Sequence, residues 1–316
     1  MTFGHGVFPS RTFLDHDIIM GESLWVGGGR DMAMGEFDRQ YLELCRRILN
    51  EGEYVQNRTG VPTYRLPHYI MQFDLAKEFP ILTSKHVAFK TAVLEMLWIY
   101  QVQSNDVRWL QERGIKIWNE WEIGEDGKYQ GKKFGKKWAH TIGTAYGWIV
   151  DKYQLTQRLI ETIKKDPTNR RMIMSLWQDE WLKSAALPSC VWNSQWSVVH
   201  GRLNVMVTVR SNDIPLGCPF NVSQYAVLCH LLAHVTGLEV GLMTYVINDA
   251  HIYENQVGGI WRQLRLAEEQ ELPSPPQLWI NPEVKDFFKF DNSRELKDIE
   301  LVGYENLGKI NMPVAV

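Results

Sequence analysis

Hydrophobic residues recur at helical spacing in four long segments of the chain. The first starts at Phe37 and ends at Gly52, a residue type that often terminates helices. Segments 86–102 and 220–237 are apolar almost throughout, which predicts two buried helices. Segment 154–167 has apolar residues on one face only and closes with a proline, which predicts an amphipathic surface helix.

Strand-like patterns occupy much of the remaining chain and predict a substantial sheet. The segments with this pattern are 64–75, 171–177, 191–199, 203–210 and 239–249. Segment 124–137 is rich in glycine and lysine and predicts a surface loop. No repeat or linker divides the chain, so we predict one α+β domain over residues 37–316. The Gly-rich residues 1–36 predict an N-terminal arm.

Composition narrows the function classes. The net charge is −3 across 316 residues, so no basic field favours nucleic acid or an anionic membrane. Four cysteines without CxxC spacing argue against a zinc site or a disulfide framework and fit a reducing compartment. No apolar run approaches the roughly 20 residues of a membrane span, and the N-terminus lacks a signal-peptide pattern. We therefore expect a cytoplasmic protein without a metal.

Cys190 stands where a loop meets a predicted strand, among several arginines. A free cysteine is most often a small buried hydrophobic residue. Here Arg170 and Arg171 precede it and Arg210 follows it, each next to a predicted strand. Guanidinium groups lower a thiol pKa and bind phosphate oxygens in bidentate fashion. Together with the hydroxyl of Ser211, these arginines predict a phosphate site beside a nucleophile.

Two polar side chains interrupt the apolar helices. Asn221 lies at the predicted start of the helix at 220–237, where it can be a helix cap or a reader of a uracil ring. An amide matches the N3–H and O4 of uracil, whereas an aspartate suits cytosine. Glu95 lies inside the helix at 86–102, where burial raises a carboxyl pKa. That placement makes Glu95 a candidate proton relay.

Two further pairs have regular spacing. His251 and Tyr253 lie two residues apart at a strand end, so both face the same side. They are either polar core residues or residues that bind sugar hydroxyls. Trp118 and Trp121 are three residues apart. They either pack in the core or form a wall on which a heterocycle stacks.

Eight segments, in this order, resemble the thymidylate synthase family. They are NRTG, FPILTSK, IWNEW, NRRMIMSLW, the strand after Cys190, RSND followed by LGCPFN, DAHIY and the terminal MPVAV. The resemblance runs from about Phe37 to Val316. It implies a large mixed sheet flanked by helices and a homodimer joined through sheet faces, with two active sites that share residues.

The resemblance implies reductive methylation of dUMP to dTMP with 5,10-methylenetetrahydrofolate as co-substrate. In the family, a cysteine adds to C6 of dUMP and C5 then attacks the iminium form of the folate. A base removes the C5 proton, and hydride from the departing tetrahydrofolate reduces the methylene to methyl. By similarity Cys190 is the nucleophile, Glu95 runs a water-mediated relay to O4, and Tyr146 helps remove the C5 proton.

The resemblance also assigns binding residues by ligand. For dUMP they are Arg58, Arg210 and Ser211 at the phosphate, Arg170 and Arg171 reaching the phosphate from the partner subunit, Asn221 at the uracil ring, and His251 and Tyr253 at the 3′-hydroxyl. For folate they are Trp118, Trp121, Asp213, Gly217, Phe220 and Val316. The carboxylate of Val316 would close the site and exclude water.

Three features depart from the family pattern. Ser189 separates Pro188 from Cys190, the passage after Tyr146 is shortened to YGWIVDKYQLTQ, and the arm has no counterpart. Pyrimidine nucleotide hydroxymethylases of the same superfamily have a similarly short YGW passage. They deliver the methylene to water, giving 5-hydroxymethyl-dUMP. This activity is therefore the alternative to methylation, and Asn221 disfavours dCMP as substrate in either case.

Overall fold

The structure, a computed structural model, describes residues 34–315. The predicted arm up to residue 33 and Val316 lie outside the described residues. The α-helices within that range are α1 (Glu36–Glu51), α2 (Phe89–Tyr100), α3 (Arg108–Gln111), α4 (Gly147–Tyr153), α5 (Leu155–Lys165), α6 (Gly217–Thr236) and α7 (Val257–Glu269). The strands are β1 (Glu53–Val55), β2 (Thr63–Asp74), β3 (Lys128–Tyr129), β4 (Lys132–Lys133), β5 (Ile173–Ser175), β6 (Val191–Val199), β7 (Arg202–Val209), β8 (Asn212–Asp213), β9 (Glu239–Tyr253), β10 (Gln277–Ile280) and β11 (Ile299–Val302).

The centre of the fold is a mixed sheet of seven strands. Its strand order is β1-β2-β9-β7-β6-β5, and β8 pairs with β9 beyond the end of β7. The β7–β9 and β8–β9 pairs are parallel, and the remaining pairs are antiparallel. This arrangement confirms the predicted α+β class with a large mixed sheet. The β3–β4 hairpin and the antiparallel pair β10–β11 lie outside the sheet.

Helices cover one face of this sheet. Met71 and Phe73 of β2 alternate with exposed neighbours and are buried on the covered face with Met243 and Tyr245 of β9. Helices α2 and α6 pack against each other, and most residues of both are buried. A helix that is apolar on nearly all sides belongs inside a core, as the sequence of both segments predicted.

The opposite sheet face is open in the single chain and carries several large apolar side chains among polar ones. Ile70 is 62% exposed, and Ile173, Val199, Met206 and Leu242 of other strands are also exposed. Strand register places these side chains on one face, since each lies in the exposed alternation of its strand. Exposed large apolar side chains from five strands on one sheet face are typical of an interaction face.

The hydrophobic pattern of the sequence did not predict several secondary-structure elements. The predicted loop 124–137 contains the β3–β4 hairpin, and helix α4 starts at Gly147 inside the shortened YGW passage. Helix α7 and the β10–β11 pair were not predicted. No helix within residues 34–315 is both long and apolar enough to cross a bilayer.

Candidate active site

Strand ends and helix starts converge around one cavity of about 1230 Å³. A pocket for one drug-sized ligand measures about 300–1,000 Å³, so this cavity has room for more than one ligand. The predicted residues that line it are Arg58, Glu95, Trp118, Trp121, Tyr146, Cys190, Arg210, Ser211, Asp213, Gly217, Phe220, Asn221, His251 and Tyr253. The fold therefore brings together most of the side chains that the sequence singled out.

Cys190 and Arg210 meet because β6 and β7 are antiparallel neighbours. Pairing of Val191 with Val209 sets the residues just beyond the strands opposite each other, and the Arg210 N–H donates to the Cys190 carbonyl at 3.0 Å. The Arg210 guanidinium donates to the carbonyls of Ser189 and Pro188 at 3.0 and 2.8 Å. One of its nitrogens lies 4.0 Å from the Cys190 sulfur. This side chain is thus fixed beside the thiol.

The charge state of Cys190 differs from the prediction. Burial raises the pKa of the Cys190 thiol above its ordinary value, although Arg210, Tyr146 and Arg58 oppose that rise. The arginines were expected to make it a thiolate, but desolvation of the anion outweighs them in the unliganded chain. Cys190 is only partly buried, unlike Cys45, Cys218 and Cys229, which are fully enclosed.

Tyr146 is held against Cys190 by a strained backbone. Its φ of 47° and ψ of −110° lie in a region that side-chain-bearing residues rarely adopt. Gly147 makes this turn possible, because a Cβ there would lie 2.0 Å from the carbonyl oxygen of Ser104. The Tyr146 hydroxyl accepts the backbone N–H of Cys190 at 3.0 Å. Burial raises the Tyr146 pKa well above 10, so the group is a neutral hydroxyl.

Glu95 is the centre of a hydrogen-bond network on the cavity wall. The indole N–H of Trp118 donates to Glu95 Oε1 at 2.6 Å, and the Gln224 amide donates to Oε2 at 2.5 Å. Burial raises the Glu95 pKa to about 7, against the lowering effect of these two donors. The carboxyl can therefore change charge near neutral pH, as a proton relay must.

Asn221 joins the same network through Gln224. Its amide nitrogen lies 3.4 Å from Gln224 Oε1, and its oxygen lies 3.4 Å from both Asn212 Nδ2 and the Tyr245 hydroxyl. Helix α6 starts at Gly217, so Asn221 is in its second turn and is not the helix cap that the sequence left open. The amide faces the cavity with contacts on both of its ends.

The predicted phosphate residues divide into two groups. Arg58, Arg210 and Ser211 line the cavity, where Ser211 Oγ lies 3.5 Å from Asp249 Oδ2. Arg170 and Arg171 are exposed and line a separate surface depression. A single chain therefore does not bring these two arginines to Cys190, contrary to the grouping inferred from strand positions alone.

Asp249 is neutralised by an arginine that sequence reasoning overlooked. Arg65 Nε and Nη2 donate to the two Asp249 oxygens at 2.9 and 2.6 Å, a bidentate pair. The pair forms because antiparallel pairing of β2 and β9 sets Arg65 near the end of β9. The positive charge of Arg65 offsets the negative charge of Asp249, which would otherwise repel an anion near Ser211.

His251 and Tyr253 face the same cavity, as their spacing predicted. Their rings are 5.2 Å apart and nearly perpendicular. His251 is 6% exposed, and its Nδ1 has no hydrogen-bond partner within the described residues, with Asp249 Oδ1 at 3.6 Å. This ring nitrogen therefore lies within ion-pair distance of the Asp249 carboxylate.

Asp213 lies beside His251 because β8 and β9 pair in parallel at these positions. Its two oxygens accept hydrogen bonds from the Leu216 backbone N–H and the Gln256 amide, both at 3.0 Å. Burial raises the Asp213 pKa.

An aromatic wall forms the other side of the cavity. The rings of Trp118 and Trp121 are 5.5 Å apart at 65°, with Phe220 also lining the cavity. Trp121 closes a short 3-10 turn, Asn119–Trp121, that follows Trp118. The end of the described C-terminal tail, Val314 and Ala315, also lines the cavity, and the predicted folate contact at Val316 lies outside the described residues.

The sequence model of the family described as Thymidylate synthase matches residues 39–316. The chain belongs to the thymidylate synthase family. It is 50% identical over 283 residues to a thymidylate synthase of Clostridium beijerinckii, which covers 90% of this chain and all of the relative. It is 40% identical over 295 residues to thymidylate synthase 1 of Bacillus subtilis, again over 90% of this chain and all of the relative.

A solved structure agrees with these sequence relatives. The thermostable thymidylate synthase A from Bacillus subtilis matches with a TM-score of 0.78 at 38% identity, over 89% of this chain and 99% of that one. The family resemblance inferred from eight segments is thus confirmed. These relatives carry the synthase name, which supports the synthase and gives the hydroxymethylase alternative no support.

Gln224 and Gln256 are two site residues that sequence reasoning missed. Gln224 follows Asn221 by three residues, so helical spacing alone sets the two amides on one face of α6. Gln256 follows Tyr253 by three residues, and its role depends on tertiary contacts with Asp213 and the C-terminal tail. Within residues 34–315, no three histidine, cysteine or acidic side chains converge as metal ligands would.

Proposed function

We propose that the chain converts dUMP and 5,10-methylenetetrahydrofolate into dTMP and dihydrofolate, with Cys190 as the nucleophile. The observation that carries the proposal is the position of Cys190 on a cavity of about 1230 Å³, beside Arg210 and Tyr146. Asn221 and Glu95, which suit a uracil ring, line the same cavity. A pure nucleotide-binding protein would need neither the placed thiol nor the strained Tyr146.

In the first step, the sulfur of Cys190 adds to C6 of the pyrimidine. The thiol pKa is raised in the unliganded chain, so the thiol first gives its proton to water in the cavity, and the thiolate then adds to C6. Arg210, at 4.0 Å from the sulfur, stabilises the developing thiolate. Arg58 and Ser211 hold the nucleotide phosphate with Arg210, and His251 and Tyr253 hold the 3′-hydroxyl.

As sulfur adds to C6, negative charge develops on O4 of the uracil. Asn221 donates to this oxygen and accepts the N3–H, while Glu95 supplies a proton through water. Gln224 contacts both groups, which keeps the Asn221 amide and the Glu95 carboxyl in fixed orientations. A Glu95 pKa of about 7 lets this carboxyl both give and take a proton.

Folate supplies the one-carbon group and, later, the hydride. Asp213 is the candidate partner of the pterin ring, and Trp118, Trp121, Gly217 and Phe220 form the walls around it. Tyr146 stays protonated because of its raised pKa. It therefore assists removal of the C5 proton by orienting a proton acceptor through its neutral hydroxyl rather than as a phenolate. The tail up to Val316 closes the cavity and excludes water from the methylene.

We also propose that the active unit is a homodimer joined through the open sheet face. Its support is the set of large apolar side chains on that face, where Ile70, Met206 and Leu242 are exposed in one chain. Arg170 and Arg171, which line no part of their own cavity, would complete the partner's phosphate site. Sedimentation should give twice the chain mass, and a monomer at assay concentration with full activity would refute this arrangement.

For the cellular compartment we propose the cytoplasm. The four cysteines of the chain all lie within the described residues and carry free thiols. Cys190 reacts only while its thiol is reduced, and a reducing compartment keeps it so.

Replacing Glu95 with glutamine should separate activity from stability. We expect kcat for dTMP formation to fall roughly a hundredfold, since proton transfer to and from O4 is lost. The Glu95 pKa rises from 4.5 to about 7 on folding. Glu95 therefore disfavours the folded state increasingly as the pH rises from 4.5 to about 7, and uniformly above that. Glutamine has no proton to lose, so the Tm difference between the variant and the wild type should shift in favour of the variant as the pH rises from 4.5 to about 7.

Thermal unfolding at several pH values measures this difference. The Tm of Glu95→Gln minus the Tm of the wild type should rise between pH 4.5 and 7 and then stay constant. An equal Tm difference at pH 4.5 and pH 8 would contradict the buried, titrating carboxyl.

The product decides the proposed function. We expect one dihydrofolate for each dTMP, seen as a rise in near-ultraviolet absorbance together with chromatographic detection of dTMP. Formation of 5-hydroxymethyl-dUMP with tetrahydrofolate, and without the absorbance rise, would instead establish the hydroxymethylase.

A further inference from the structure

Gln256 is a fully buried polar residue at the junction of three parts of the site. It closes a 3-10 turn, Glu254–Gln256, between the end of β9 and the start of α7. Its side chain has 0% exposure and uses both ends of its amide. Because each bond goes to a different structural element, this residue links elements that are distant in sequence.

The three bonds of Gln256 have distinct partners. Its Oε1 accepts the backbone N–H of Tyr253 at 3.1 Å. Its Nε2 donates to Asp213 Oδ2 at 3.0 Å and to the Pro313 carbonyl at 3.1 Å. The two amide hydrogens are therefore shared between a carboxylate on the cavity and the backbone of the C-terminal tail.

The bond to Pro313 is the last attachment of the tail before it reaches the cavity. One residue earlier, Met312 lies on helix α7, where a Cβ at Gly259 would come within 2.9 Å of the Met312 side chain. The next residues, Val314 and Ala315, line the cavity itself. The packing of Met312 and the Gln256 hydrogen bond thus hold the tail immediately before it reaches the cavity.

We propose that Gln256 is a positioning residue that couples the C-terminal tail to Asp213. One amide orients the Asp213 carboxylate and anchors the tail at Pro313, so that seating of the folate and coverage of the cavity occur together. Loss of the amide leaves Asp213 Oδ2 and the Pro313 carbonyl without this shared donor. The tail then covers the cavity less often, and water reaches the methylene before hydride does. The inference rests on the proposed function.

The test is the Gln256→Met variant, which keeps length and burial but removes the amide. We expect the KM for folate to rise roughly tenfold, as for one lost hydrogen bond to a charged group, with the KM for dUMP nearly unchanged. Release of tritium from C5-labelled dUMP should exceed dTMP formation, with 5-hydroxymethyl-dUMP making up the difference. The wild type should give equal amounts.

A second glutamine provides the matched control. Gln263 is equally buried on α7, donates to Ser84 Oγ at 2.8 Å and accepts from the Tyr41 hydroxyl at 3.5 Å, away from the cavity. Gln263→Met should destabilise the chain without changing the ratio of tritium release to dTMP. The same ratio change in both variants would overturn the proposal, because general loosening would then explain it.

A double variant tests whether Gln256 acts through the tail. Deletion of residues 313–316 should raise the ratio of tritium release to dTMP, and adding Gln256→Met should raise it no further. Independent, multiplied effects would overturn the coupling. If Gln256→Met does not fold, Gln256→Asn keeps a polar amide but is one methylene shorter, which breaks the contacts with Asp213 and Pro313, and should show the same ratio change.

Hydrogen exchange separates this inference from the proposed function. The backbone amides of residues 310–315 should exchange faster in Gln256→Met than in the wild type, without any substrate. Equal exchange would overturn the anchoring of the tail even if the wild type makes dTMP. Faster exchange in a chain that makes no dTMP would instead refute only the proposed function.

Discussion

Replacing Cys190 with alanine should reduce dTMP formation by at least roughly 10⁴-fold, because no other group near C6 can form the covalent bond. The affinity for dUMP should stay within about tenfold of the wild type, since Arg210, Asn221 and His251 remain. Turnover is measured by dTMP formation, and affinity by equilibrium titration. The expected pattern is thus a loss of kcat with nearly intact nucleotide binding.

Cys229→Ala is the control for this variant. Cys229 is fully buried in α6, where its thiol lies 3.5 Å from the Leu203 carbonyl, and it does not line the cavity. Its replacement should lower stability by a small cavity effect and leave the turnover unchanged. Turnover of Cys190→Ala within tenfold of the wild type would contradict the nucleophile assignment.

Asn221→Asp should change the preferred base. We expect the ratio of kcat/KM for dCMP to that for dUMP to rise by roughly 10³-fold, because a carboxylate accepts from the exocyclic amine of cytosine but offers no donor to O4 of uracil. Deamination is not involved, so 5-methyl-dCMP is the expected product from dCMP. Competition between the two nucleotides in one assay measures the ratio.

Asn212→Asp is the control for this variant, because it makes the same amide-to-carboxylate change at the neighbouring asparagine. Asn212 Nδ2 lies 3.4 Å from Asn221 Oδ1, and Asn212 accepts from the buried Tyr245 hydroxyl at 2.9 Å. This variant should lose activity on both nucleotides without gaining preference for dCMP. If Asn221→Asp keeps the preference for dUMP, Asn221 does not read the base.

The sheet and the long helices could be predicted because their patterns are local. Helix α6 is apolar on nearly every side, and β6 runs from Val191 to Val199 as its pattern indicated. The β3–β4 hairpin was missed because each of its strands has only two residues, too few for any period. Tyr129 and Gln130 of this segment line the cavity, so the predicted surface loop contributes to the site.

Most of the side chains that line the cavity could be singled out from the sequence, but their electrostatics could not. Sequence placed Cys190 among arginines, but desolvation raises the thiol pKa in spite of Arg210. For Glu95 the sequence did suffice, because a carboxyl inside an apolar helix has few ways to avoid burial. The thiol pKa of Cys190 depends on how completely the fold encloses the sulfur. The spacing of residues in the sequence does not predict that burial.

Contacts between segments that are distant in sequence could not be predicted either. Arg65 pairs with Asp249, and Gln256 with Pro313, across separations that only the folded register determines. Arg170 and Arg171 resemble the arginines that family members contribute from the partner subunit, while in one chain they lie on the surface. Their proposed role requires a second chain, which pattern analysis alone does not supply.

The central claim is a covalent bond between Cys190 and C6 of the pyrimidine, and 5-fluoro-dUMP tests it most directly. Fluorine at C5 cannot leave as the proton does, so the adduct should persist in the presence of 5,10-methylenetetrahydrofolate. Mass spectrometry of the digested protein should then find the nucleotide and folate masses on the peptide that contains Cys190. A stable adduct on any other residue, or no adduct in a chain that still makes dTMP, would contradict the account.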